Sequence, residues 1–335
     1  MHKNREILQD AIGRKHNYLR ISITEKCNLR CTYCMPADGL PLMPKKHLMT
    51  AEEIYGIASE FVKLGVDKIR LTGGEPLVRK DFTSILKSLS SLPVDLTLTT
   101  NAVLVDRYID ILKSCGVKTL NVSLDTLCAE KFKTITKRDE FKRAFQNIVL
   151  LINEGFDVKL NVVLIKGFND DEIIDFIRLT QSQALSVRFI EFMPFNGNRW
   201  DKSRLVTQKE ILELATNTFG DKHLQPLKIE ANATSKNFKV EGYEGVFGII
   251  SSVSNPFCDS CNRIRLTANG RIKNCLFSND ELDLLNAYRL QEPIQPLIEN
   301  ALLNKKAVRG GMTTFQQLDN PKNHNQNRSM LAIGG

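Results

Sequence analysis

Short apolar runs alternate with longer segments whose apolar positions recur every three or four residues. The runs are rich in β-branched side chains, which predicts strands, and the longer segments predict amphipathic helices. The predicted strands cover residues 19–23, 68–71, 96–99, 119–123, 158–164 and 187–192. The predicted helices cover about residues 50–65, 81–90, 104–115, 139–154, 170–182 and 207–217. Capping boxes begin two of these helices, one at Thr50 and Glu53 and one at Thr207 and Glu210.

Strict alternation of strand and helix with short loops predicts a parallel sheet with right-handed crossovers. Six such units fall short of the eight that close a full barrel. We therefore predict an α/β fold, a partial (βα)6 TIM-type barrel that is open on one side. A flat doubly wound sheet is the alternative.

The alternation stops near residues 193–198. Beyond this point, Asn269 and Gly270 lie between two apolar runs and predict a hairpin turn. We place the strand–helix core at residues 10–230 and a smaller C-terminal domain at residues 231–335.

Composition and charge narrow the class of protein. Of the 335 residues, 42% are apolar and 25% are charged, which is typical of a soluble globular protein. No apolar run approaches the length of about 18 residues that a membrane helix requires. The N-terminus also lacks the apolar core of a signal peptide. We therefore expect a cytoplasmic protein with no membrane partner.

The net charge of +8 favours an anionic partner. The sequence has no long Lys/Arg run and no basic stripe with interleaved aromatic residues, so nucleic acid is disfavoured. Arg20, Arg70 and Lys159 lie in or at the ends of predicted strands, where a sheet covered by helices has little use for cations. If they converge on one side of the sheet, they predict a site for a buried anion. Salt bridges to nearby carboxylates are the alternative.

Six of the eight cysteines form two groups of three, which indicates metal ligation in a chain without a secretory signal. Cys27, Cys31 and Cys34 have the spacing C-x3-C-x2-C directly after the first strand. Thiolates suit iron–sulfur clusters, and three of them leave one iron of a four-iron cluster open to a small molecule. A zinc site with a distant fourth ligand is the alternative.

The second group consists of Cys258, Cys261 and Cys275 and has the spacing C-x2-C-x13-C. The predicted hairpin brings Cys275 back beside the other two cysteines. His223 or His324 would complete a zinc site, although neither is near the hairpin in sequence. Two trios at opposite ends of the strand–helix repeat favour two clusters, each with an open iron.

The first trio, Tyr33 and residues 73–76 (Gly-Gly-Glu-Pro) resemble the radical S-adenosylmethionine superfamily. Further segments resemble its GTP 3′,8-cyclase family. These segments are residues 13–14, 19–24, 35–36, 69–76, 99–101, 121–125, 159–161 and 188–194, the second trio with residues 262–265, and the final Gly334 and Gly335. Asn101 and Ala102 stand where this family usually has Asn-Gly, so we expect this turn to differ.

The resemblance implies a role for each matching residue. Cys27, Cys31 and Cys34 would hold the radical-generating [4Fe–4S] cluster, and Cys258, Cys261 and Cys275 an auxiliary [4Fe–4S] cluster. The S-adenosylmethionine site would be lined by Tyr33, Gly74, Ser123 and Met193. GTP would be bound by Arg20, Arg70, Thr99, Lys159, Arg263 and Arg265. The catalytic centre would include Arg263, Arg265, Gly334 and Gly335, with the C-terminal tail reaching into the active site.

The implied reaction is the first step of molybdenum cofactor biosynthesis. A 5′-deoxyadenosyl radical would take hydrogen from ribose C3′ of GTP, and C3′ would then attack guanine C8. Reduction of the resulting aminyl radical would give 3′,8-cyclo-7,8-dihydro-GTP. The resemblance also implies a reductant such as flavodoxin or ferredoxin and a downstream cyclic pyranopterin monophosphate synthase, and it allows a homodimer.

Two alternatives stay open. A radical S-adenosylmethionine enzyme that modifies peptides would share the first trio, but its auxiliary domain usually carries more than three cysteines. A zinc-stapled nucleic-acid-binding protein would also use clustered cysteines, but it predicts zinc in place of iron and a basic face.

Overall fold

The computed structural model describes residues 8–35, 43–198, 200–324 and 326–334. The strands in these ranges are β1 (Tyr18–Ser22), β2 (Lys68–Thr72), β3 (Asp95–Thr100), β4 (Thr119–Ser123), β5 (Asp157–Leu164), β6 (Ser186–Glu191), β7 (Leu224–Pro226), β8 (Lys236–Val240), β9 (Val246–Ile250), β10 (Arg263–Leu266), β11 (Arg271–Lys273) and β12 (Leu282–Asp283). The α-helices are α1 (Ala51–Lys63), α2 (Phe82–Ser90), α3 (Ile109–Ser114), α4 (Ala129–Thr136), α5 (Phe141–Asn153), α6 (Ile173–Arg178), α7 (Gln208–Phe219), α8 (Leu284–Arg289), α9 (Gln295–Leu303), α10 (Phe315–Asp319) and α11 (Met330–Ile333).

These strands form one sheet in the order β12-β11-β10-β1-β2-β3-β4-β5-β6-β9-β8-β7. The six predicted strands are β1 to β6, and they are parallel neighbours, which confirms the α/β prediction. The C-terminal third adds one parallel strand on each side, β10 beside β1 and β9 beside β6. Antiparallel strands follow at both edges. The domain limits at residues 230 and 231 stay a prediction.

Alternating burial along the strands gives the sheet two different faces. In β5, Val158, Leu160 and Val162 are buried in the hydrophobic core, whereas Lys159 and Asn161 between them face a cavity. Residues from β1 and from β6 line that same cavity. The sheet is therefore curved, as in a partial barrel, and its concave face is polar.

The helices up to α7 follow the predicted pattern with one exception. Both predicted capping boxes are present, at α1 and at α7. The sequence missed α4, whose large buried apolar side chains are Phe132 and Ile135. So short an apolar stripe gives only a weak helical periodicity. No helix among the described residues is long and apolar enough to cross a membrane.

Candidate active site

A cavity of about 660 Å³ lies on the concave face of the sheet. The first thiol trio lines it from the loop after β1, and the second trio lines it from the segments that flank β10 and β11. It is also lined by Tyr33, Gly74, Ser123, Met193, Arg20, Arg70, Thr99, Lys159, Arg263 and Arg265. The fold thus brings the predicted ligand-binding residues into one space.

The loop that carries the first trio packs on the turn after β2. The backbone N–H groups of Gly74 and Glu75 donate to the carbonyl oxygens of Thr24 and Lys26, both at 2.8 Å. A Cβ atom on Gly73 would lie 2.7 Å from the Thr24 oxygen, and one on Gly74 would collide with the Lys26 oxygen. Glycine is therefore required here by the close approach of the thiol loop itself.

The thiols of the first trio are half-buried in the wall of the cavity, and their partial removal from water makes their ionisation costly. Burial, followed by the Glu75 carboxylate, raises the pKa of Cys27 to about 11. Burial, followed by Cys27, raises the pKa of Cys34 to about 12. The Cys27 sulfur accepts hydrogen bonds from the Leu29 N–H at 3.4 Å and from Asn101 Nδ2 at 3.9 Å. Thiolates at these positions need a metal cation to stabilise them, so the trio fits the irons of a cluster.

The second trio lies in a more positive environment. Burial opposes ionisation of Cys261, but the charges of Arg263 and Lys305 outweigh it and lower the pKa of this thiol to about 6. Burial raises the pKa of Cys258. The Arg263 guanidinium lies 4.8 Å from the centre of the Phe257 ring. Nearby cations suit a thiolate-bound cluster, which carries net negative charge.

The two histidines proposed as zinc ligands do not join the second trio. His223 is exposed and lies 2.6 Å from Glu241, and the described lining of the cavity does not include His324. Within the described ranges, no three His, Cys, Asp or Glu side chains meet closely enough to hold a single metal ion. A four-iron cluster binds each thiolate on a different iron, so its ligands surround a space and do not meet at a point.

Tyr33 is held by a carboxylate that was given no role from the sequence. Its hydroxyl donates to Asp125 Oδ2 at 2.7 Å, and the Val163 N–H donates to Asp125 Oδ1 at 2.9 Å. Burial raises the pKa of Asp125 to about 6, although both hydrogen bonds oppose the shift. Asp125 therefore fixes the Tyr33 ring beside the first trio. In the sequence, Asp125 could have been noticed because it belongs to residues 121–125, one of the segments that carry the family resemblance.

Cations on neighbouring strands face the cavity in one row. Arg20 pairs in register with Arg70 of β2 and with Arg265 of β10. Burial and the charges of Arg265 and Arg70 lower the pKa of Arg20 well below its usual value. Lys159 instead forms an ion pair with Asp157 at 2.9 Å, so the salt-bridge alternative holds for this one cation. Like charges this close favour an anion between them.

Several buried polar atoms along the cavity have no hydrogen-bond partner in the described part of the chain. They are Tyr18 Oη, Arg20 Nε, Thr99 Oγ1, Asn121 Oδ1, Asn161 Oδ1, Arg188 Nε, Ser235 Oγ, Asn237 Oδ1 and Ser252 Oγ. An unpaired buried polar group costs about 1–3 kcal/mol, so these atoms indicate where a polar ligand binds. Arg188 was missed, although a cation on a buried strand was the same signal that identified Arg20. Burial, followed by Arg70, lowers the pKa of Arg188 to about 10.

The last residue of β6 fixes the loop that leads to the second trio. Glu191 is 1% exposed. Its carboxylate accepts hydrogen bonds from the backbone N–H groups of Val253 and Ser254, both at 2.8 Å, and from the Ser254 hydroxyl. One buried carboxylate therefore ties the end of β6 to the loop that precedes the second trio.

The C-terminal segment reaches the carboxyl end of the parallel strands. Leu331 of α11 lines the cavity. Arg265 Nη1 donates a hydrogen bond to the Gly334 carbonyl oxygen. Gly334 has a φ of 79°, and a Cβ atom there would collide with the Thr72 hydroxyl, so it packs on the sheet end beside the described lining of the cavity. Gly335 lies outside the described residues, and its role stays a prediction.

Two family descriptions match consecutive parts of the chain. The Radical SAM superfamily matches residues 21–180, and Molybdenum Cofactor Synthesis C matches residues 185–309. The fold resembles the crystal structure of Streptococcus suis SuiB bound to S-adenosylmethionine, with a TM-score of 0.58 and 18% identity. That likeness covers 82% of this chain and 65% of the SuiB chain, and it shows the fold alone.

Relatives that match almost the whole chain decide the family. The GTP 3′,8-cyclase of Alkaliphilus oremlandii is 40% identical over 98% of this chain and 100% of its own length. The chain belongs to the GTP 3′,8-cyclase family. The mitochondrial GTP 3′,8-cyclase of Arabidopsis thaliana is 43% identical over 98% of this chain and 84% of that protein.

Some relatives of the GTP 3′,8-cyclase family are longer. Molybdenum cofactor biosynthesis protein 1 of Mus musculus is 44% identical over 98% of this chain, which spans 51% of that protein. The chain thus spans about half the length of the mammalian relatives that it matches. Membership in a radical SAM family implies S-adenosylmethionine and a [4Fe–4S] cluster for this chain.

Proposed function

We propose that this chain is a GTP 3′,8-cyclase that makes 3′,8-cyclo-7,8-dihydro-GTP in the first step of molybdenum cofactor biosynthesis. The observation that carries the proposal is a single cavity lined by two thiol trios and by arginines of four strands, β1, β2, β6 and β10. A nucleoside triphosphate carries the negative charge that such arginines bind. The family relationship supports the same substrate.

Each group has matching residues in the cavity. Cys27, Cys31 and Cys34 would hold the cluster of the radical SAM core, with S-adenosylmethionine beside Tyr33, Gly74, Ser123 and Met193. A second [4Fe–4S] cluster would be held by Cys258, Cys261 and Cys275. When bound, these groups would supply a 5′-deoxyadenosyl radical to take the ribose H3′ atom, and one electron that, together with one proton, would complete the cyclised product. The core and the C-terminal domain would meet near residue 230.

The chain's own residues would bind and orient the substrate. Arg20, Arg70 and Arg188 would neutralise the triphosphate, and Arg263 and Arg265 would act near the second trio. Enclosure by the sheet would exclude water from the reacting ribose. The proposal includes a flavodoxin or ferredoxin as reductant and a cyclic pyranopterin monophosphate synthase as the next enzyme, and the oligomeric state stays a prediction.

Product analysis tests the substrate. Anaerobically reconstituted chain is mixed with S-adenosylmethionine, dithionite and GTP, and the products are separated and weighed by mass spectrometry. We expect 5′-deoxyadenosine together with an isomer of GTP, and neither in a matched reaction with ATP. Cleavage of S-adenosylmethionine with ATP or with a peptide, but not with GTP, would contradict the assignment.

Cysteine variants test the two trios separately. Cys31→Ala should abolish 5′-deoxyadenosine, whereas Cys261→Ala should keep some 5′-deoxyadenosine and lose the cyclised product. Cys128→Ala is the control, because this exposed thiol belongs to neither trio. Wild-type chain should contain about eight irons, four per cluster. Equal loss of both products in the two trio variants, or two zincs without iron, would contradict the proposal.

A further inference from the structure

A buried ammonium lies directly against the second thiol trio. Lys305 follows α9 and is 5% exposed. Its Nζ atom lies 3.5 Å from the Cys261 sulfur, 2.9 Å from the Arg263 carbonyl oxygen and 3.5 Å from His16 Nδ1. An ammonium has three N–H donors and no acceptor. The three contacts therefore use the full hydrogen-bonding capacity of Lys305.

The imidazole of His16 is held in the form that accepts from Lys305. Its Nε2 atom lies 3.0 Å from Asp10 Oδ2, and a carboxylate oxygen requires the proton to be on Nε2. Nδ1 is then free to accept. Burial and the charge of Lys305 lower the pKa of His16 to about 4, although Asp10 opposes the shift. The ring is therefore neutral near pH 7.

Arg14 ties this network to the backbone around the trio. Its Nε donates to Asp10 Oδ2 at 2.6 Å. Its terminal nitrogens donate to the carbonyl oxygens of Cys258 at 2.8 Å, Ala307 at 2.9 Å and Lys306 at 3.0 Å. The segment before β1 thus holds the chain next to Lys305 against the second trio, which gives the matched residues 13–14 a structural purpose.

We propose that Lys305 is a positioning residue that raises the reduction potential of the second cluster, a role that rests on the proposed cluster at this trio. A reduced cluster carries one more negative charge, so hydrogen bonds to its sulfur ligands and a nearby cation stabilise it. Lys305 supplies both to Cys261. The Arg309 N–H donates to the Cys258 sulfur at 3.5 Å and adds to the effect. The electron itself comes from an external one-electron donor.

The test measures the midpoint potential of the second cluster alone. Variants are made in a Cys31→Ala background, which lacks the first cluster, and each is titrated with dithionite and followed by electron paramagnetic resonance. We expect Lys305→Met to lower the midpoint potential at unchanged iron content, and Lys305→Arg to restore part of it. Lys306→Met is the matched control, because Lys306 is the exposed neighbour, and it should leave the potential unchanged.

An unchanged potential in Lys305→Met with full iron would overturn the inference. If this variant loses its iron, Lys305→Gln and Lys305→Arg are compared, and equal potentials would overturn it as well. If all three Lys305 variants lose their iron while Lys306→Met keeps it, Lys305 is needed to assemble the cluster and not to set its potential. That result would also overturn the inference. Metal analysis of the wild type comes first, since about four irons with zinc at the second trio would contradict the proposed cluster itself.

Discussion

At the scale of single residues, Arg188 is a cation that faces the cavity with a buried N–H group, which an anionic ligand would pair. Its Nε has no partner in the described part of the chain, and its charge lies near that of Arg70. A hydrogen bond to a charged group contributes about 1.5–3 kcal/mol. We therefore expect Arg188→Met to weaken GTP binding by about 10- to 100-fold, measured by anaerobic calorimetry, with iron content unchanged.

The control for Arg188 is an exposed arginine at the end of α6. Arg178→Met removes an exposed cation that pairs with Asp175 at 3.2 Å, and it should leave GTP affinity unchanged. If wild type and Arg188→Met bind GTP with equal affinity, Arg188 does not bind the triphosphate.

Ala102 occupies a backbone conformation that favours glycine. Its φ is 61°, and this conformation costs a residue with a Cβ atom about 1–2 kcal/mol. Ala102→Gly removes that strain but also loses a buried methyl group worth about 0.8 kcal/mol. We expect a nearly unchanged free energy of unfolding in urea.

Ala58→Gly, which changes a buried alanine in α1, is the control. It should lower the free energy of unfolding by about 2 kcal/mol, since there no strain is relieved. Equal losses at both positions would contradict the strain at Ala102.

At the scale of elements, Glu191 at the end of β6 holds the loop that leads to the second trio. In Glu191→Gln, the amide oxygen can still accept from the two backbone N–H groups and the amide nitrogen can donate to the Ser254 hydroxyl, but the negative charge that strengthens all three hydrogen bonds is lost. We expect a loss of about 1–3 kcal/mol in the free energy of unfolding, lower iron occupancy of the second trio, and continued cleavage of S-adenosylmethionine. Iron analysis and urea unfolding measure these effects.

Glu213→Gln on α7 is the matched control for Glu191. Glu213 is exposed and lies 3.6 Å from Lys209 at the surface. If Glu191→Gln keeps full iron and full cyclised product, the carboxylate does not position the second trio.

The sequence predicted the elements better than it predicted their neighbours. Short apolar runs rich in β-branched side chains identified β1 to β6, and their alternation with helices predicted their common direction. It did not show that β10 lies beside β1 or β9 beside β6, because periodicity reports which side chains are buried and not which strand they pair with. Cysteine spacing likewise identified both trios. Glu191 and Lys305 were given no role, because the groups that they contact, Val253 and Ser254 for Glu191 and the Cys261 sulfur for Lys305, are far from them in sequence.

At the scale of the whole molecule, His16 makes stability depend on pH. Its pKa is about 4 in the folded chain against 6.5 in the unfolded chain. As the pH falls below 6.5, the unfolded chain binds a proton at His16, whereas the folded chain does not until about pH 4. This favours the unfolded chain, so the free energy of unfolding is highest with respect to His16 above pH 6.5 and decreases as the pH falls towards 4. From one pKa unit per 1.36 kcal/mol, we expect wild type to lose on the order of 2 kcal/mol between pH 7 and pH 5 through this group.

Urea unfolding at pH 7 and pH 5 measures this loss under anaerobic conditions. His16→Gln should lose less stability over the same interval, because glutamine does not titrate. His223→Gln should behave as wild type, since His223 is exposed beside Glu241. The same loss in wild type and in His16→Gln would assign the pH dependence to other groups.

The pairing of β1 with β10 delays completion of the sheet while the chain is being translated. Tyr18 lies opposite Arg263, which is 263 − 18 = 245 positions later in the chain. At about 5–20 residues per second, a ribosome needs roughly 10 to 50 seconds to make the intervening segment. During this interval the outer edge of β1 is unpaired and can attract other chains. The first trio is complete long before the second has been translated, so we expect the nascent chain to need protection of its edge and its thiols while synthesis continues.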